Sequence, residues 1–576
     1  MSDTTKMIFG LIGGLALFLY GMNSMSDALQ KAAGERMKKI LSFLTRNPVM
    51  GALAGALVTA VLQSSSATTV MVIGFTSAGL MSLPQAISVI FGANIGTTMT
   101  AQLMAFKISN YIYPIIFLGF ILNFVSKKEK IKNVGMVIFS FGLLFEGIEI
   151  MGSVMKPLAG NAIFTDLMGQ VSRIPVLGIL LGAGMTLVVQ SSSATIAVLQ
   201  NFASQAGPDG VTSVIGLVGA IPILLGDNIG TTITALLASI GQSKDAKRTA
   251  LAHSIFNISG SVVFACLIPV FAKFVAMISP KGNEVDIISR QIANAHTAFN
   301  ITTTLVWLPL IPIMVKIVTM LVRGQDKAEP DVAKPKYLDD NMLGQPVAAM
   351  YLISQEIERC SGYASSMLEA LQECVSGKNS QAAIAAFEAT HSTVKRLQDS
   401  IVTYITRLFS NGGLTETQAE QTAGLLFVNN NIERIADRCS EICNVTRRIQ
   451  TEGKSLSSDA SNDLGQCFTL SRTLFDQAID SVKTGDTNTA EHVVKSRADM
   501  QKAQKRFNKA HLNRVKLQSC DYSLLRDFST ILYGLDRVVD NCISIAEESL
   551  DRISFVSLGT GSPDPQENGS DRGGVK

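Results

Sequence analysis

Charged residues are scarce in this sequence: they make up 16% of its 576 residues, and the mean hydropathy is +0.30. A wholly soluble protein is therefore not expected. The net charge is only +3 and no basic run alternates with aromatic residues, so no nucleic-acid partner is expected. The chain also lacks GxxxxGK[ST], HExxH and GxSxG sequences, and its five histidines are dispersed, which gives no sign of an ATP motor or an enzyme.

Paired cysteines are missing as well. Of the eight cysteines only Cys266 lies in the apolar half, and the others follow no CxxC or secreted-domain spacing. A reducing cytosol is therefore expected around the polar half. The first residues, MSDTTKM, include Asp3 and precede no small-residue cleavage site, so we expect no removable signal peptide.

The chain divides into two parts of different composition. Up to about Leu321 nearly every stretch is apolar, whereas charges recur every few residues from Arg323 onward. Because a helix needs about 20 apolar residues to span a bilayer, we predict an all-α membrane domain at 1–322. Its predicted crossings, about seven, lie near 7–29, 83–105, 109–126, 133–155, 212–240, 247–278 and 289–322. Polar clusters interrupt two further apolar stretches, near 48–80 and 176–206, which we interpret as re-entrant hairpins.

Lysine and arginine collect in alternate loops, at 31–46, 127–132 and 244–248, and are sparser in the others. The richer set should be cytoplasmic. This predicts a protein of the cell (inner) membrane with its N-terminus outside and its polar half in the cytoplasm. The two hairpins would then enter the membrane from opposite sides.

The apolar half contains an internal repeat. GALVTAVLQSSSATT at 55–69 resembles GAGMTLVVQSSSATI at 182–196, and GANIGTT at 92–98 resembles GDNIGTT at 226–232. Two mutually inverted copies of one unit are a common architecture of secondary transporters. We place the copies at about 7–126 and 133–278, with an extra helix at 289–322.

The polar half is predicted to be helical. A charged segment with two prolines, 323–343, is typical of a linker. Apolar residues at helical spacing then predict six helices near 344–376, 379–410, 415–450, 456–484, 487–516 and 520–551. The tail at 552–576 has little apolar content and is predicted to be disordered.

The clearest candidate site is the duplicated Gln-Ser-Ser-Ser-Ala-Thr cluster. Hydroxyl, amide and unwound backbone oxygens suit Na⁺, while hydroxyls and free N–H groups at a half-helix N-terminus suit phosphate. The alternative is that these small residues only let helices pack closely, and a second copy at the repeat-related position makes that explanation weaker. The candidate residues are Gln63, Ser64, Ser65, Ser66, Thr68, Gln190, Ser191, Ser192, Ser193 and Thr195.

The duplicated Asn-Ile-Gly-Thr-Thr element offers further oxygens and is interpreted as the partner wall, with a helix kink at the glycine as the alternative. Its candidate residues are Asn94, Thr97, Thr98, Asn228, Thr231 and Thr232. The two copies differ at Ala93 and Asp227. An intramembrane aspartate costs about 2.5–3.5 kcal/mol, so we expect Asp227 to pair with Na⁺ or to carry a proton. Glu146 and Glu149 either share that task or face a helix interface.

Duplicated QSSSAT clusters followed by GxNIGTT resemble the type II sodium/phosphate cotransporter family and its bacterial relatives over about 7–320. The resemblance implies a Na⁺-driven symporter of inorganic phosphate whose two hairpins meet at a central site formed by the residues named above. At about 100 mV inside-negative, importing divalent phosphate costs about 4.6 kcal/mol and each Na⁺ returns about 2.3, so electrical drive needs roughly three Na⁺.

Two acid pairs stand out in the polar half, Glu433 with Asp437 and Asp536 with Asp540. Acids at i and i+4 repel unless a cation lies between them, either a metal ion or a neighbouring arginine. The pairs fall in the third and sixth helices, and tandem three-helix bundles of this kind at 344–551 resemble PhoU-like domains. That resemblance implies divalent or trivalent metal at the four acids and a role in phosphate-linked regulation.

Two functions remain open from the sequence. One is a Na⁺/phosphate symporter regulated by its PhoU-like domain, and the other is a phosphate sensor that reports to partners through that domain. Proton coupling, or another oxyanion on the same scaffold, is a further alternative. The expected partners are inorganic phosphate, sodium ions and the lipid bilayer, and a homo-oligomer or a regulatory protein stays open.

Overall fold

The computed structural model describes residues 3–42, 47–159, 170–171, 174–207, 209–324, 332–376, 380–551, 553–555 and 558. The chain divides into two compact units, Met1–Asp326 and Lys327–Lys576. The described residues form helices and no β-strand, apart from one isolated bridge between Ala206 and Ser213, which confirms the all-α prediction. The predictions for linker residues 325–331 and for tail residues 552, 556–557 and 559–576 concern residues outside those described. Within the tail predicted to be disordered, Ile553, Phe555 and Leu558 are buried.

The helices of the first unit start where the sequence favours a start. Proline occupies the first or second position of five of them, where a helix needs no N–H hydrogen bond. In chain order the helices are α1 (Asp3–Ser42), α2 (Pro48–Leu62), α3 (Ser65–Ser77), α4 (Leu83–Met104), α5 (Ile112–Val125), α6 (Glu129–Ala159), α7 (Pro175–Val189), α8 (Ser192–Ala203), α9 (Gly216–Gly230), α10 (Thr232–Ala238), α11 (Lys244–Cys266), α12 (Ile268–Ile278), α13 (Glu284–Trp307) and α14 (Ile311–Leu321).

Fewer helices suit a full crossing than the sequence predicts. Four described helical stretches are long and apolar enough, namely Thr5–Ala32, Glu129–Met155, Gly216–Ala238 and Lys244–Cys266. Two further pairs, Leu83–Met104 with Ser109–Val125 and Glu284–Trp307 with Ile311–Leu321, are bent by 77° and 85°. Counting each pair once gives six, because the span predicted at 109–126 is one arm of a bend. Helix α5 has 14 residues, a length of about 21 Å, which is short of a roughly 30 Å hydrocarbon layer.

Two helix crossings in the first unit depend on glycine. At Gly92 of α4 an added Cβ would lie 1.8 Å from the carbonyl oxygen of Ala52 in α2. At Gly226 of α9 an added Cβ would lie 2.0 Å from the carbonyl oxygen of Ile179 in α7. Small residues let helix backbones approach this closely. The first glycine of both GxNIGTT copies therefore brings its helix onto the helix that ends at the serine cluster.

The helices of the second unit follow the predicted segments closely, except that the fifth is divided at Ser496. They are α15 (Pro346–Ser376), α16 (Ser380–Ser410), α17 (Glu416–Thr451), α18 (Ser458–Thr484), α19 (Thr487–Lys495), α20 (Arg497–Lys516) and α21 (Leu525–Asp551). Cys439 of α17 and Cys542 of α21 are fully buried in the core. Burial raises the pKa of both thiols, so they pack as apolar groups rather than reactive ones.

Part of the predicted linker is fixed to the second unit. The buried carboxylate of Glu356 in α15 accepts hydrogen bonds from the backbone N–H groups of Lys336, at 2.8 Å, and Tyr337, at 2.7 Å. Arg359, one turn further along α15, pairs with the same carboxylate and supplies the opposite charge. These residues are therefore part of the folded unit, because buried charges are stable only when paired and hydrogen-bonded.

Candidate functional site

The first serine cluster lies at the break between α2 and α3. Helix α2 ends at Gln63, whose backbone is left-handed with a φ of 51°, and Ser64 is the N-cap of α3. The Ser64 hydroxyl accepts the N–H of Ala67 at 3.2 Å, as an N-cap serine does. The side chain of Gln63 is buried, and its Oε1 accepts a hydrogen bond from Thr100 of α4 at 2.8 Å. The break is thus tied to the helix that carries Asn-Ile-Gly-Thr-Thr.

The second serine cluster repeats this geometry between α7 and α8. Gln190 has a φ of 53°, and Ser191 caps α8 by accepting the N–H of Ala194 at 3.2 Å. Within the described residues, Gln518 is the one other non-glycine residue with positive φ. This conformation costs a residue with a Cβ about 1–2 kcal/mol, so its occurrence at both clusters indicates a constrained site. Gln190 differs from Gln63 in being exposed.

A buried threonine pair closes each break. Thr59 donates a hydrogen bond to Thr68 at 2.8 Å, and the hydroxyl oxygens of Thr186 and Thr195 lie 3.0 Å apart. In the second copy the Thr186 hydroxyl also donates to Oδ1 of Asp227 at 2.6 Å. Asp227 is fully buried, and its Oδ2 has no hydrogen-bond partner among the described residues. Thr59 and Thr186 were not among the residues predicted for the site, although each stands four positions before its glutamine.

The two Asn-Ile-Gly-Thr-Thr copies have similar side-chain contacts but different backbones. Asn94 donates to the carbonyl of Ile90 at 2.8 Å, and Asn228 to that of Leu224 at 2.9 Å. Helix α4 continues through the first copy, whereas α9 ends at Gly230 before α10 begins. A helix interruption at the glycine, the alternative interpretation of this element, is therefore present only in the second copy. The threonine hydroxyls of both copies donate to backbone carbonyls of the preceding helical turn. These threonines are Thr97, Thr98, Thr231 and Thr232.

Two further asparagines, which were not predicted from the sequence, contact this element. The Nδ2 of Asn257 in α11 lies 3.3 Å from Oδ1 of Asn94, and the Nδ2 of Asn300 in α13 lies 3.3 Å from Oδ1 of Asn228. All four side chains are buried. A signal existed, because both newly found asparagines end the hexapeptide Ala-His-x-x-Phe-Asn.

The two copies also contact each other. The Nε2 of Gln200 in α8 donates to the carbonyl of Ala101 in α4 at 3.1 Å. Ile73 of α3 shares an apolar cluster with Ala235 of α10. The outgoing helix of each hairpin therefore packs beside the Asn-Ile-Gly-Thr-Thr region of the other copy. No hydrogen bond within the described part of the chain joins residues 63–66 directly to 190–193.

The two glutamates of α6 lie in a different environment. Glu149 accepts a hydrogen bond from Ser109 at 2.9 Å, and Oε1 of Glu146 lies 3.4 Å from the Tyr113 hydroxyl. Both contacts join α6 to the start of the α5 region. They support the helix-interface alternative for these two carboxylates.

The first acid pair of the second unit already has a cation between its carboxylates. Lys395 Nζ of α16 lies 2.9 Å from Oε1 of Glu433 and 3.0 Å from Oδ1 of Asp437. Partial burial disfavours the lysine charge, but hydrogen bonds to the two carboxylates outweigh it and raise the Lys395 pKa above its usual value. A metal ion would have to displace this lysine.

The second acid pair also has basic neighbours, but they contact only one of its two carboxylates in the described part of the chain. Arg497 and Arg537 both pair with the carboxylate of Asp540. Burial and the negative charge of Asp540 raise the pKa of Asp536. In the described ranges no group of three or more His, Cys, Asp or Glu residues could hold a metal ion. The metal expected at Glu433, Asp437, Asp536 and Asp540 is therefore not supported, and basic side chains pair with Glu433, Asp437 and Asp540.

The fold and the site together define an internally duplicated, multi-pass helical membrane protein. A Na⁺/Pi-cotransporter family model matches residues 17–153 and 147–283, and a PhoU domain model matches 357–446 and 464–549. The chain belongs to the Na⁺/Pi-cotransporter family and carries PhoU domains in its second unit, which confirms the resemblance drawn from the motifs. The family is one of phosphate transporters rather than a class of enzymes.

Its relatives include bacterial and vertebrate proteins. "Uncharacterized protein YqeW" of Bacillus subtilis (strain 168) is 32% identical over 266 residues, 46% of this chain and 84% of the relative. "Putative inorganic phosphate export protein YjbB" of Escherichia coli (strain K12) is 23% identical over 522 residues, 88% of this chain and 91% of the relative. "Sodium-dependent phosphate transport protein 2B" of Pongo abelii is 24% identical over 406 residues, 44% of this chain and 58% of the relative. No solved structure matches the chain significantly.

Proposed function

We propose that the first unit carries inorganic phosphate together with Na⁺ across the cell (inner) membrane, and that the second unit regulates it from the cytoplasm. The observation that carries this proposal is the duplicated, serine-capped helix break in a chain of this family. The distribution of lysine and arginine supports an N-terminus outside and a cytoplasmic second unit. The names of the relatives support phosphate as the substrate and, for the Pongo protein, sodium as the coupling ion.

Phosphate is proposed to bind at the N-termini of α3 and α8. The free N–H groups of a first helical turn and the positive end of the helix dipole attract an anion. The serine hydroxyls add donors without a fixed charge, so the anion is held but can leave. The proposed phosphate ligands come from Gln63, Ser64, Ser65, Ser66 and Thr68 and from Gln190, Ser191, Ser192, Ser193 and Thr195.

Sodium is proposed to bind beside the phosphate. Na⁺ is a hard cation that prefers oxygen ligands, and the second wall presents amide, hydroxyl and carboxylate oxygens. The proposed region contains Asn94, Thr97, Thr98, Asp227, Asn228, Thr231 and Thr232. Asp227 is the proposed acidic partner, because one of its two carboxylate oxygens has no protein donor among the described residues.

Radiolabelled phosphate flux in sealed proteoliposomes tests the coupling. Separate Na⁺ and pH gradients should show that the Na⁺ gradient alone drives accumulation. Accumulation driven by the pH gradient alone would contradict sodium coupling and favour a proton on Asp227. Phosphate binding without flux in competent vesicles would instead favour the sensor.

Serine substitutions test where the substrate binds. Ser65→Ala and Ser192→Ala should each lower uptake about tenfold or more, the value of a lost hydrogen bond to a charged group, without loss of folded protein. Ser153→Ala is the matched control, because Ser153 is exposed on α6 and its hydroxyl bonds the carbonyl of Ile150 in the preceding turn. Wild-type uptake in both site variants would contradict the placement.

A further inference from the structure

The hexapeptide Ala-His-x-x-Phe-Asn places a second asparagine beside each Asn-Ile-Gly-Thr-Thr element. It occurs at 252–257 in α11 and at 295–300 in α13. The two hexapeptides make equivalent asparagine contacts. They nevertheless follow one another along the chain, with no Gln-Ser-Ser-Ser cluster between them. A contact that occurs twice at one proposed site requires a more specific role than helix packing.

In the first copy the amide orientation of Asn257 is determined by its neighbours. Its Nδ2 donates to the backbone carbonyl of His253 at 3.0 Å and to Oδ1 of Asn94 at 3.3 Å. Both neighbours are oxygens, so the nitrogen of Asn257 must face them and its oxygen must face away. The Nε2 of His253 lies 3.4 Å from the same Asn94 oxygen, which therefore has two nitrogen neighbours.

The second copy repeats both contacts of the asparagine amide nitrogen. The Nδ2 of Asn300 donates to the backbone carbonyl of His296 at 3.0 Å and to Oδ1 of Asn228 at 3.3 Å. The amide nitrogen of Asn228 is in turn bonded to the carbonyl of Leu224. Both ends of the Asn228 amide are therefore occupied by protein, as they are in Asn94.

The amide oxygens of Asn257 and Asn300 remain. Both side chains are completely buried, and neither Oδ1 has a hydrogen-bond partner among the residues that the structure describes. A buried polar atom normally has a partner. An amide oxygen can only accept, so it suits a cation or a donor and does not suit phosphate oxygens.

We propose that Asn257 and Asn300 are ligands of the transported monovalent cation, one from each copy, and that Asn94 and Asn228 are positioning residues that hold them. This inference rests on the proposed sodium coupling and changes its ligand set. The asparagines of Asn-Ile-Gly-Thr-Thr orient the ligands, and the asparagines of Ala-His-x-x-Phe-Asn supply the oxygens that bind the cation. Each Oδ1 contributes no charge, so the cation can be released.

The test measures Na⁺ binding to purified full-length protein and Na⁺-dependent phosphate flux. Thermal unfolding is followed while NaCl replaces choline chloride at constant ionic strength. Asn257→Leu and Asn300→Leu should each raise the half-saturating Na⁺ concentration about tenfold or more, in both assays. Asn257→Asp and Asn300→Asp keep an oxygen for the cation but lose the Nδ2 donor that orients it, so each should lose at least about threefold less Na⁺ affinity than the matching leucine variant. Ser259→Ala is the control, because this α11 serine interacts with Trp307 and not with Asn94.

Each outcome has a distinct meaning. Wild-type Na⁺ affinity in the leucine variants would overturn the ligand role while leaving sodium coupling intact. An equal loss in the aspartate and leucine variants would also overturn it, since the nitrogen contacts alone would then matter. A wild-type protein with neither Na⁺-dependent stability nor Na⁺-dependent flux would refute the proposed function as well. If a leucine variant does not fold, the alanine variant at the same position replaces it. The leucine variant at the other asparagine then provides a second, independent comparison.

Discussion

Gln63 and Gln190 combine a left-handed backbone with a polar side chain at the point where a helix stops. Glycine is the usual residue in that conformation, because it has no Cβ to strain. Glutamine occupies this position in both copies, which indicates that its side chain has a role that offsets the backbone strain of the positive φ. The sequence predicts the polar clusters but gives no sign of the positive φ, since that is normally inferred from glycine.

Gln190→Gly should therefore separate the backbone from the side chain. Thermal stability should stay equal or rise by about 1 kcal/mol, because the strain is relieved. Phosphate uptake in proteoliposomes should fall about tenfold or more, because a substrate hydrogen bond is lost. Gln518→Gly is the control, since Gln518 shares the conformation outside the proposed site and its substitution should leave uptake unchanged. Full uptake with Gln190→Gly would show that the backbone alone is required.

The histidine and asparagine pairs could not be found by following the repeat. Copies of GxNIGTT begin 134 residues apart, whereas the two Ala-His-x-x-Phe-Asn copies begin only 43 residues apart. Both hexapeptides lie in apolar helices C-terminal to the first repeat, which ends at about residue 126. Their equivalence depends on which helix packs beside Asn94 and which beside Asn228, and this is decided by tertiary structure.

Helices were predicted well where apolar residues recur at helical spacing, as in the second unit. Bends were predicted poorly. Helix α13 and α14 form an 85° pair inside one apolar stretch, and hydrophobicity reports burial or lipid contact without reporting direction. The excess predicted crossing arises at the other bent pair, Leu83–Met104 with Ser109–Val125, whose two arms were counted as separate spans.

Gly182→Ala tests the glycine crossings. An added Cβ there would lie 2.0 Å from the carbonyl oxygen of Ile223, so the crossing of α7 and α9 must open. We expect the protein to lose about 1–3 kcal/mol of stability. Gly184→Ala, two residues along the same helix, meets nothing within 4 Å and should be neutral or stabilising by up to about 1 kcal/mol. Thermal unfolding in one detergent compares them, and equal midpoints would refute the close approach.

His511 predicts a pH response in the second unit. Its ring stacks on Phe528 with centroids 4.0 Å apart, and burial lowers its pKa below the usual 6.5, assisted by Arg514 and opposed by Asp463. A histidine with a lowered folded pKa stabilises the fold above the unfolded pKa, and this contribution is lost as pH falls below about 6.5. Helices α20 and α21 should therefore exchange amide hydrogens faster at lower pH, after correction for intrinsic rates.

The control for that experiment is the exposed His492. His511→Gln should flatten the pH dependence of exchange in α20 and α21 in the full-length protein, whereas His492→Gln should leave it unchanged. An unaltered pH response with His511→Gln would assign the effect to other groups.

At the scale of the whole molecule, the proposed carrier is reversible, because ion gradients supply its only drive. Vesicles loaded with phosphate and Na⁺ should release phosphate on dilution into Na⁺-free medium, and the reverse gradient should drive uptake. Ser65→Ala should lower both fluxes by the same factor, since both use one site. Flux in one direction under every gradient would contradict this mechanism. Reversibility would reconcile the two names given to relatives, export and sodium-dependent transport.

The division into an apolar membrane unit and a polar helical unit could be predicted from the sequence, because the two parts differ in composition and in motifs. The chemistry of the second unit was less visible. Spacing on one helix left either metal or a neighbouring arginine open for Glu433 and Asp437, and the PhoU-like resemblance implied metal. Their cation is instead Lys395 of α16, 38 residues before Glu433. Partners on other helices leave no local pattern to detect.

Ala93 and Asp227 occupy the same place in the two copies, and both are fully buried. Two identical half-length chains would have to place either two carboxylates or none around a shared axis. Fusion of the halves into one chain removes that restriction and permits an odd number of negative charges. A single substitution at one of these two positions can therefore change whether the site contains an odd or an even number of carboxylates, and with it the charge moved in one transport cycle.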